Sequence, residues 1–260
     1  MYRAYKFRMY PTKNQKELLN KSFDCCRFIF NYYLNDIKEN GYKNAYTCIK
    51  DYTGKLKYEK SFLQEVDSTI LRKELFAMED SLKRFYNSGF GYPKFKSRFD
   101  KNSYTTSAVY RTYKDKEYCN IELDLINKKV KLPKLKQVKI KGYRKLKNIE
   151  GKIMSATISR EPNGKYYVSI LYKQEEIKND FIIPSSIVGI DLGIKKLLTL
   201  LDGTIYENNR NIKKYEKRIK RCHKELSRKK KESNNYYKCK TKLAKLYSKL
   251  KMLGSIIFIK

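Results

Sequence analysis

The spacing of apolar residues changes along this chain, and that change limits the fold more than any other feature. Apolar residues recur at three- and four-residue steps over residues 19–37 and again over 71–85, which predicts two amphipathic helices. From about Ser103 the step becomes two, as it is over residues 2–10, and this alternation predicts β-strands. The pattern therefore predicts an α+β fold with a helical segment inserted between a first strand and a strand-rich region.

Local signals predict where the two helices begin and end. Thr12 followed by Gln15 is a capping-box signature for the start of the first helix, and Gly41 predicts its end. The second helix is expected to follow Ser68 and to end at Gly89. The apolar stripes of both helices are interpreted as the core of a small helical domain.

The remainder of the chain is predicted to contain strands first and basic helices last. Strands are expected over residues 103–113, 117–125, 129–132, 138–143, 152–159 and 166–172. The sequence Pro162-Asn163-Gly164 predicts a hairpin turn between the last two of these strands. A charged linker is expected at residues 173–180, then a short strand meander from Ile187, and basic helical structure beyond Asn208.

The charge of the chain points to a polyanionic partner. There are 60 Lys and Arg residues against 27 Asp and Glu, a formal net charge of +33. Neutralised phosphates release condensed counterions, which favours binding, and the many Tyr and Phe rings beside cations can stack on bases. A genome whose codon usage favours Lys, Asn, Ile and Tyr is the alternative explanation. With no bilayer-length apolar stretch and no signal peptide, we expect a cytoplasmic, nucleoid-associated protein without a membrane partner.

Asp191 is the candidate catalytic and metal-binding residue. It stands among apolar residues between Gly189 and Gly193, which is how an RNase H-like fold presents its first metal-binding carboxylate. Two alternatives stay open, because the same G-I-D-x-G pattern opens actin-like ATPases, and a strand-end aspartate can be satisfied by backbone amides. No aspartate follows Asp202, so we expect an incomplete two-metal site.

Two basic segments are candidate nucleic-acid contacts. The first, residues 91–98, interleaves Tyr92 and Phe95 with Lys94 and Lys96, which suits backbone contacts combined with base stacking. An ordinary linker with a solvated charge run is an equally weighted alternative. The second segment is weaker, since it could contact phosphates or form a solvated face; it contains Arg228, Lys229, Lys230 and Lys231.

The six cysteines do not predict a metal site. Structural zinc is typically bound by paired C-x-x-C knuckles, and this sequence has none. Cys222 and Cys239 are separated by sixteen residues, and His223 is interpreted as a solvated helix residue. We therefore expect reduced thiols and no zinc in this chain.

Several short motifs, taken together and in order, resemble the TnpB family, the OrfB-type proteins of small insertion sequences. The motifs are YKFRMYPT at residues 5–12, CCRF at 25–28, GYPKFK at 91–96, VGIDLGIK at 188–195, LDG at 201–203 and LSRKKK at 226–231. The resemblance runs from about residue 2 to about residue 250. Lys6, Arg8 and Arg27 lie within the first two motifs and are added on this basis to the nucleic-acid-binding candidates.

The resemblance implies an architecture and an activity. It implies a wedge-like antiparallel β-barrel from residues 1–11 and 100–180, a helical recognition domain at 12–99, and a partial RuvC-like nuclease domain with basic helices at 184–260. Family members use a transposon-derived guide RNA and a Mg²⁺- or Mn²⁺-dependent site to cut double-stranded DNA.

Only Asp191 matches one of the family's catalytic positions. The family's second-strand Glu, its final Asp and its four-cysteine zinc ribbon have no counterpart in this sequence. The resemblance therefore implies a C-terminally truncated member that binds guide RNA and DNA without cleaving DNA alone. The alternatives are a basic RNA- or DNA-binding module, a guide-directed DNA blocker, and an enzyme completed by another polypeptide.

Overall fold

The computed structural model describes residues 1–114, 116–142, 149–174, 188–193, 196–207 and 211–257. The chain divides into two compact units, one from residues 1–161 and 165–176 and the other from 162–164 and 177–260. Both helices and strands are present, so the predicted α+β class is confirmed at this level. The linker expected at residues 173–180 falls mostly outside the described residues, as do Ile187, Ile194 and Lys195.

Among its described residues, the first unit contains the inserted helices and nine strands. In chain order its elements are β1 (Tyr2–Tyr10), α1 (Lys13–Asn40), α2 (Ala45–Asp51), a π-helical turn (Tyr52–Leu56), α3 (Lys57–Glu59), a 3-10 turn (Ser61–Gln64), α4 (Ser68–Ser88), β2 (Asn102–Ser107), β3 (Tyr110–Tyr113), β4 (Lys116–Cys119), β5 (Glu122–Asp124), β6 (Lys129–Leu132), β7 (Lys136–Lys141), β8 (Lys152–Arg160) and β9 (Tyr166–Lys173).

Strand β1 lies at the centre of a seven-stranded sheet. Its side chains alternate as the sequence predicted, with Tyr5, Phe7 and Met9 buried. It pairs antiparallel with β9 on one side and with β7 on the other. The hairpin between β8 and β9 is also confirmed, since Glu161 N–H donates to the carbonyl of Lys165 across the predicted turn.

The sheet is open and does not close into the expected barrel. The strand order is β2-β8-β9-β1-β7-β6-β5, which leaves β2 and β5 at opposite edges. Helices lie beside β2: the Tyr104 ring packs 5.4 Å from Phe23 of α1, and the Thr106 hydroxyl donates to Asp67. Helices α1 and α4 pack on the face of β2 that carries Tyr104 and Thr106, and β2 pairs with β8 alone within this sheet.

Two of the expected strands are each split in two. The strand predicted over residues 103–113 breaks at Ala108, and the strand predicted over 117–125 breaks at Asn120. The reason is the Asn120 side chain, which accepts from Val109 N–H at 2.8 Å and donates to the Ser107 carbonyl at 3.2 Å. These bonds satisfy the backbone where the ladder is interrupted, so β3 and β4 form a separate two-stranded sheet.

The helix ends follow the signals in the sequence. Thr12 and Gln15 form the predicted capping box at α1, and Gly41 follows its last residue. Gly89 ends α4 in the left-handed conformation, at φ 67°, as a glycine at this position readily does. The predicted stripe of α1 is buried against α4, with Leu19 and Phe30 in the shared core. The first turn of α1 also reaches the sheet through Gln15, whose side-chain amide donates to two backbone carbonyls at 3.0 and 2.9 Å.

The described part of the second unit contains a short meander and two helices. Its elements are β10 (Ile190–Asp191), β11 (Lys196–Leu200), β12 (Ile205–Glu207), α5 (Asn211–Ser227) and α6 (Asn234–Ile257). The three strands pair antiparallel in chain order. Helices α5 and α6 pack on each other around a small cluster of buried side chains. Among the described residues, no helix is long and apolar enough to cross a bilayer.

Candidate nucleic-acid interface

The outward-facing side of β1 carries two of the predicted nucleic-acid contacts. Lys6 and Arg8 alternate with the buried residues of this strand and therefore lie on the opposite face of the sheet. The Lys6 ammonium lies 4.6 Å from the centre of the Tyr167 ring and 3.8 Å from the Glu161 carboxylate. The Arg8 guanidinium lies 4.7 Å from the Tyr10 ring. Both cations are thus held against aromatic rings on this face.

Strands β6 and β7 extend this face with further cations. The pairing places Lys141 opposite Arg8 and places Lys139 opposite both Tyr10 and Lys129. Directly opposed like charges destabilise a sheet by roughly 0.2–1 kcal/mol per pair. A row of such pairs is stabilised when a polyanion lies across it. We call the residues Lys6, Arg8, Lys129, Lys139 and Lys141 the basic sheet face.

A second cation-and-aromatic surface lies on helix α1. A groove of about 850 Å³ is lined by α1 side chains and by Phe95, and it brings the predicted residues Arg27 and Phe95 together. Phe28 and Tyr32 stack on its wall with ring centres 5.9 Å apart, and Phe95 is 50% exposed. We call it the α1 groove.

The charges of the α1 groove are mixed. Arg27 donates to the Asp24 carboxylate at 2.6 Å, and Lys43 pairs with Asp36 at 2.7 Å. Burial of Asp36 opposes its ionisation, but hydrogen bonds from Lys43 and Asn40 hold the pKa of its carboxyl below the usual range. Glu39 also lines the groove, so its side chains offer exposed rings and polar edges with more carboxylates than cations.

Within residues 91–98 the structure separates two lysines that looked equivalent in sequence. Lys94 is exposed. Lys96 instead pairs with the buried carboxylate of Glu74, and its ammonium lies 4.1 Å from the Phe30 ring. Tyr92 is also turned inward, with its ring edge-on to Phe85 at 5.2 Å. Lys96 and Tyr92 therefore hold this segment against the helices, while Lys94 and Phe95 face outward.

The remaining predicted contacts lie in the second unit. Arg228, Lys229, Lys230 and Lys231 are exposed in the loop that joins α5 to α6. Asp191 is exposed at the end of β10, opposite Thr199 of β11. Within the part of the chain that the structure describes, no group of three metal-ligating side chains includes Asp191. Asp202 accepts a hydrogen bond from Thr204 N–H at 2.8 Å, and this bond lowers the pKa of the Asp202 carboxyl. Asp202 therefore has a structural role in the hairpin turn.

Sequence reasoning missed two groups of residues. Lys129, Lys139 and Lys141 were counted only as strand residues, although alternation of Lys with buried Val and Ile in β6 and β7 was a usable signal. The other group is Cys222, Glu225 and Cys239, whose ligand atoms all lie within 4.8 Å of one another. Sequence spacing could not reveal this cluster, because the two cysteines come from different helices.

The fold and these surfaces define a strongly basic protein of mixed α and β structure with two cation-and-aromatic surfaces. Residues 1–45 match a family model described as "Helix-turn-helix domain" of the IS605 OrfB type, and residues 169–253 match the IS605 OrfB model described as "Probable transposase". In this chain the first match corresponds to strand β1 and helix α1. The chain belongs to the TnpB family, the OrfB-type proteins of insertion sequences.

Two curated relatives and one solved structure are similar to the chain. It is 30% identical over 251 residues to "Putative RNA-guided DNA endonuclease InsQ" of Escherichia coli (strain K12), with 94% of this chain and 58% of the relative covered. It is 28% identical over 262 residues to "Putative RNA-guided DNA endonuclease" of Streptomyces pristinaespiralis, with 95% and 60% covered.

A "Cryo-EM structure of CRISPR-Cas12f Ternary Complex" matches with a TM-score of 0.39 and 15% identity, over 92% of this chain and 57% of that one. The chain thus spans about 60% of the length of the curated relatives it matches.

Proposed function

We propose that this chain binds a guide RNA and its double-stranded DNA target, and that it does not cleave DNA by itself. The observation that carries the proposal is the basic sheet face, where Arg8 opposes Lys141 and Lys129 opposes Lys139. Such pairs destabilise the isolated sheet, and a phosphate backbone lying across them relieves the repulsion. The names of the curated relatives support RNA guidance as the context of this binding.

The α1 groove supplies contacts of a different kind. Exposed rings stack on bases regardless of sequence, and each stacked base contributes about 1–3 kcal/mol. Phe95 and Tyr32 offer such rings beside the Asn35 amide. We assign phosphate binding to the basic sheet face and to Lys94, and base stacking to the α1 groove.

We also propose that the chain consists of three domains with different roles. Residues 12–99 would form the recognition domain, residues 1–11 and 100–180 a wedge-like domain built on the open sheet, and residues 184–260 a partial RuvC-like domain. The exposed loop from Arg228 to Lys231 lies in the third of these and is proposed to contact phosphates.

The metal expected for this family is Mg²⁺ or Mn²⁺, and the described residues do not fit a two-metal site. Such a site needs several carboxylates around a pair of ions. Asp191 offers one carboxylate, and no described group of three ligating side chains includes it. Asp191 is therefore proposed as the one matching position of an incomplete site.

A completing polypeptide is the second proposal, and exposed apolar side chains in the meander favour it. Ile190, Leu192 and Leu201 are 59%, 72% and 82% exposed. Apolar surface of this kind often marks an interaction site. A second polypeptide that supplies the missing carboxylates could cover these residues and restore cleavage.

The experiment is to purify the full chain with its bound nucleic acid and to sequence the RNA ends. We expect RNA with defined ends, binding of DNA that matches the RNA, and no DNA cleavage in Mg²⁺ or Mn²⁺. RNA with scattered ends would contradict guide binding. Cleavage by the wild-type chain that is absent in Asp191→Ala would contradict the proposed lack of activity.

A further inference from the structure

Helices α5 and α6 enclose two thiols in an otherwise apolar contact. The buried side chains between the helices are Ile219, Cys222, Cys239, Leu243 and Leu246. Apart from the two thiols, the buried side chains of this cluster are aliphatic. Each thiol lies 3.8–3.9 Å from the backbone carbonyl of the other cysteine, which is a long, weak contact.

The distance between the two sulfur atoms suits a shared metal ion. The Sγ atoms of Cys222 and Cys239 are 3.9 Å apart. A disulfide requires about 2.05 Å. Two sulfurs bound at about 2.3 Å to one tetrahedral Zn²⁺ lie roughly 3.8 Å from each other. The observed separation therefore fits coordination of one ion with little movement of either helix.

Glu225 supplies a third ligand on the same face of α5. It follows Cys222 by three residues, so the two side chains lie one turn apart on one side of the helix. A carboxylate oxygen of Glu225 lies within 4.8 Å of both sulfur atoms. His223 lies outside this group of ligand atoms, and its Nε2 atom is hydrogen-bonded to the Tyr247 hydroxyl at 2.9 Å.

The charge around the cluster is balanced by Lys242. Two thiolates and one carboxylate with Zn²⁺ carry a net charge of −1. The Lys242 ammonium lies 3.0 Å from the Glu225 carboxylate and adds one positive charge at the open side of the cluster. The lysine can thus neutralise the loaded site and orient the carboxylate, as hydrogen-bonded neighbours of metal ligands commonly do.

We propose that Cys222, Cys239 and Glu225 form a binding site for one Zn²⁺-class cation that cross-links α5 and α6. On binding, each thiol releases its proton to solvent as its sulfur bonds to the metal, and water completes the coordination. This proposal departs from the expectation that the chain binds no zinc. It is independent of the proposed nucleic-acid binding and of Asp191.

Co²⁺ is the probe, added to metal-free full-length protein in a non-thiol reductant. We expect one equivalent to bind with thiolate-to-cobalt charge-transfer absorption in the near ultraviolet. Cys222→Ser and Cys239→Ser should each lose about half of that absorption and weaken binding at least tenfold. Glu225→Gln should weaken binding while the absorption per bound ion is kept. The double variant Cys25→Ser/Cys48→Ser, which removes two buried thiols of the other unit, should match the wild type.

A second measurement needs no variant and guards against misfolding. Zn²⁺ should slow the alkylation of Cys222 and Cys239 at least fivefold, measured by peptide mass spectrometry, and should leave Cys25, Cys26 and Cys48 unchanged. Equal protection of all cysteines would overturn the proposal. So would cobalt binding that lacks charge-transfer absorption, or absorption that is undiminished in both single serine variants.

Discussion

The ammonium of Lys96 lies against the buried carboxylate of Glu74, so a segment that reads as a basic surface loop is tied into the helical core. The Asn31 side chain strengthens the tie, since its amide donates to the Lys96 carbonyl at 2.9 Å and its oxygen accepts from Lys96 N–H at 2.7 Å. Lys94, two residues earlier, is exposed. The two lysines should therefore respond differently to substitution.

Lys96→Met should destabilise the protein, because it leaves the Glu74 carboxylate buried without its cation. Loss of one partner of a buried pair lowers the free energy of unfolding by about 3–5 kcal/mol. Because Lys96 is partly exposed, we expect a smaller loss of about 2–3 kcal/mol. Lys94→Met should change stability by less than about 0.5 kcal/mol and weaken RNA binding. Urea unfolding measures the first effect, and the double variant Glu74→Leu/Lys96→Met should recover part of the loss. Equal stability of the two single variants would contradict the internal role of Lys96.

The basic sheet face should show opposite effects on stability and binding. Lys139→Gln with Lys141→Gln removes like charges opposite Lys129 and Arg8, so we expect a gain of roughly 0.2–1 kcal/mol for each pair. The dependence of log affinity on log salt should become shallower by about 0.7–0.9 for each lost phosphate contact. Lys50→Gln, an exposed lysine in α2, is the matched control. A salt dependence equal to that of the control would argue against phosphate binding on this face.

Phe95 should contribute to binding and not to stability. Phe95→Ala removes an exposed ring of the α1 groove, and loss of one stacked base is expected to cost about 1–3 kcal/mol of affinity for single-stranded RNA. That corresponds to a loss of roughly 5- to 150-fold. Phe90→Ala removes an exposed ring that does not line the groove and should change affinity less than twofold. Filter binding or fluorescence anisotropy measures both, and similar losses for the two variants would refute groove-specific stacking.

Alkaline pH should destabilise the first unit through its buried thiols. Burial, reinforced by the nearby Asp24, raises the pKa of Cys25 to about 11, and burial followed by Asp36 raises the pKa of Cys48 to about 11. Both thiols stay neutral in the folded protein but ionise near pH 9 when unfolded, so their contribution is complete below pH 9 and is lost as the pH rises towards 11.

At pH 10.5 the expected loss is about 2 kcal/mol for each thiol. The measurement is the urea midpoint between pH 8 and 10.5. The variant Cys25→Ala/Cys48→Ala should be less stable at pH 8 because it leaves cavities, yet its stability should fall less steeply with pH. An unchanged slope in that variant would assign the alkaline transition to other groups.

Gly151 should tolerate no side chain. Its φ of +112° is rarely adopted by other residues, and a Cβ atom there would lie 2.5 Å from the Lys173 carbonyl oxygen. Gly151→Ala is expected to destabilise the protein by about 1–3 kcal/mol in thermal or urea unfolding. Gly54→Ala is the control, since no atom lies within 4 Å of its added Cβ and helix geometry favours alanine over glycine. A neutral Gly151→Ala variant would show that the backbone there can shift.

The elements that were predicted well are those set by neighbours in the chain. The capping box at Thr12, the helix end at Gly89 and the alternation of β1 all depend on interactions across a few residues. The split at Ala108 was missed because it depends on Asn120, a side chain twelve residues away that replaces the ladder hydrogen bonds. The barrel was expected from the family resemblance, and the order of the strands leaves the sheet open.

For the candidate site, the sequence suggested residues but could not give their surroundings. Lys94 and Lys96 share the same local context, and only the presence of Glu74 beneath one of them separates a surface cation from a buried one. Cys222 and Cys239 lie far apart in the chain, and the packing of α5 on α6 brings their sulfur atoms to 3.9 Å.

The helices, most of the strands, the basic charge and the family of the chain could all be predicted from its amino-acid sequence. Those properties follow from hydrogen bonds and side-chain periodicity within a few residues, and from composition, so they can be read along the chain. The folded structure was needed to show which cations face solvent, which strands carry opposed lysines and which thiols meet. Those properties depend on contacts between distant segments, because burial and electrostatic pairing act through space.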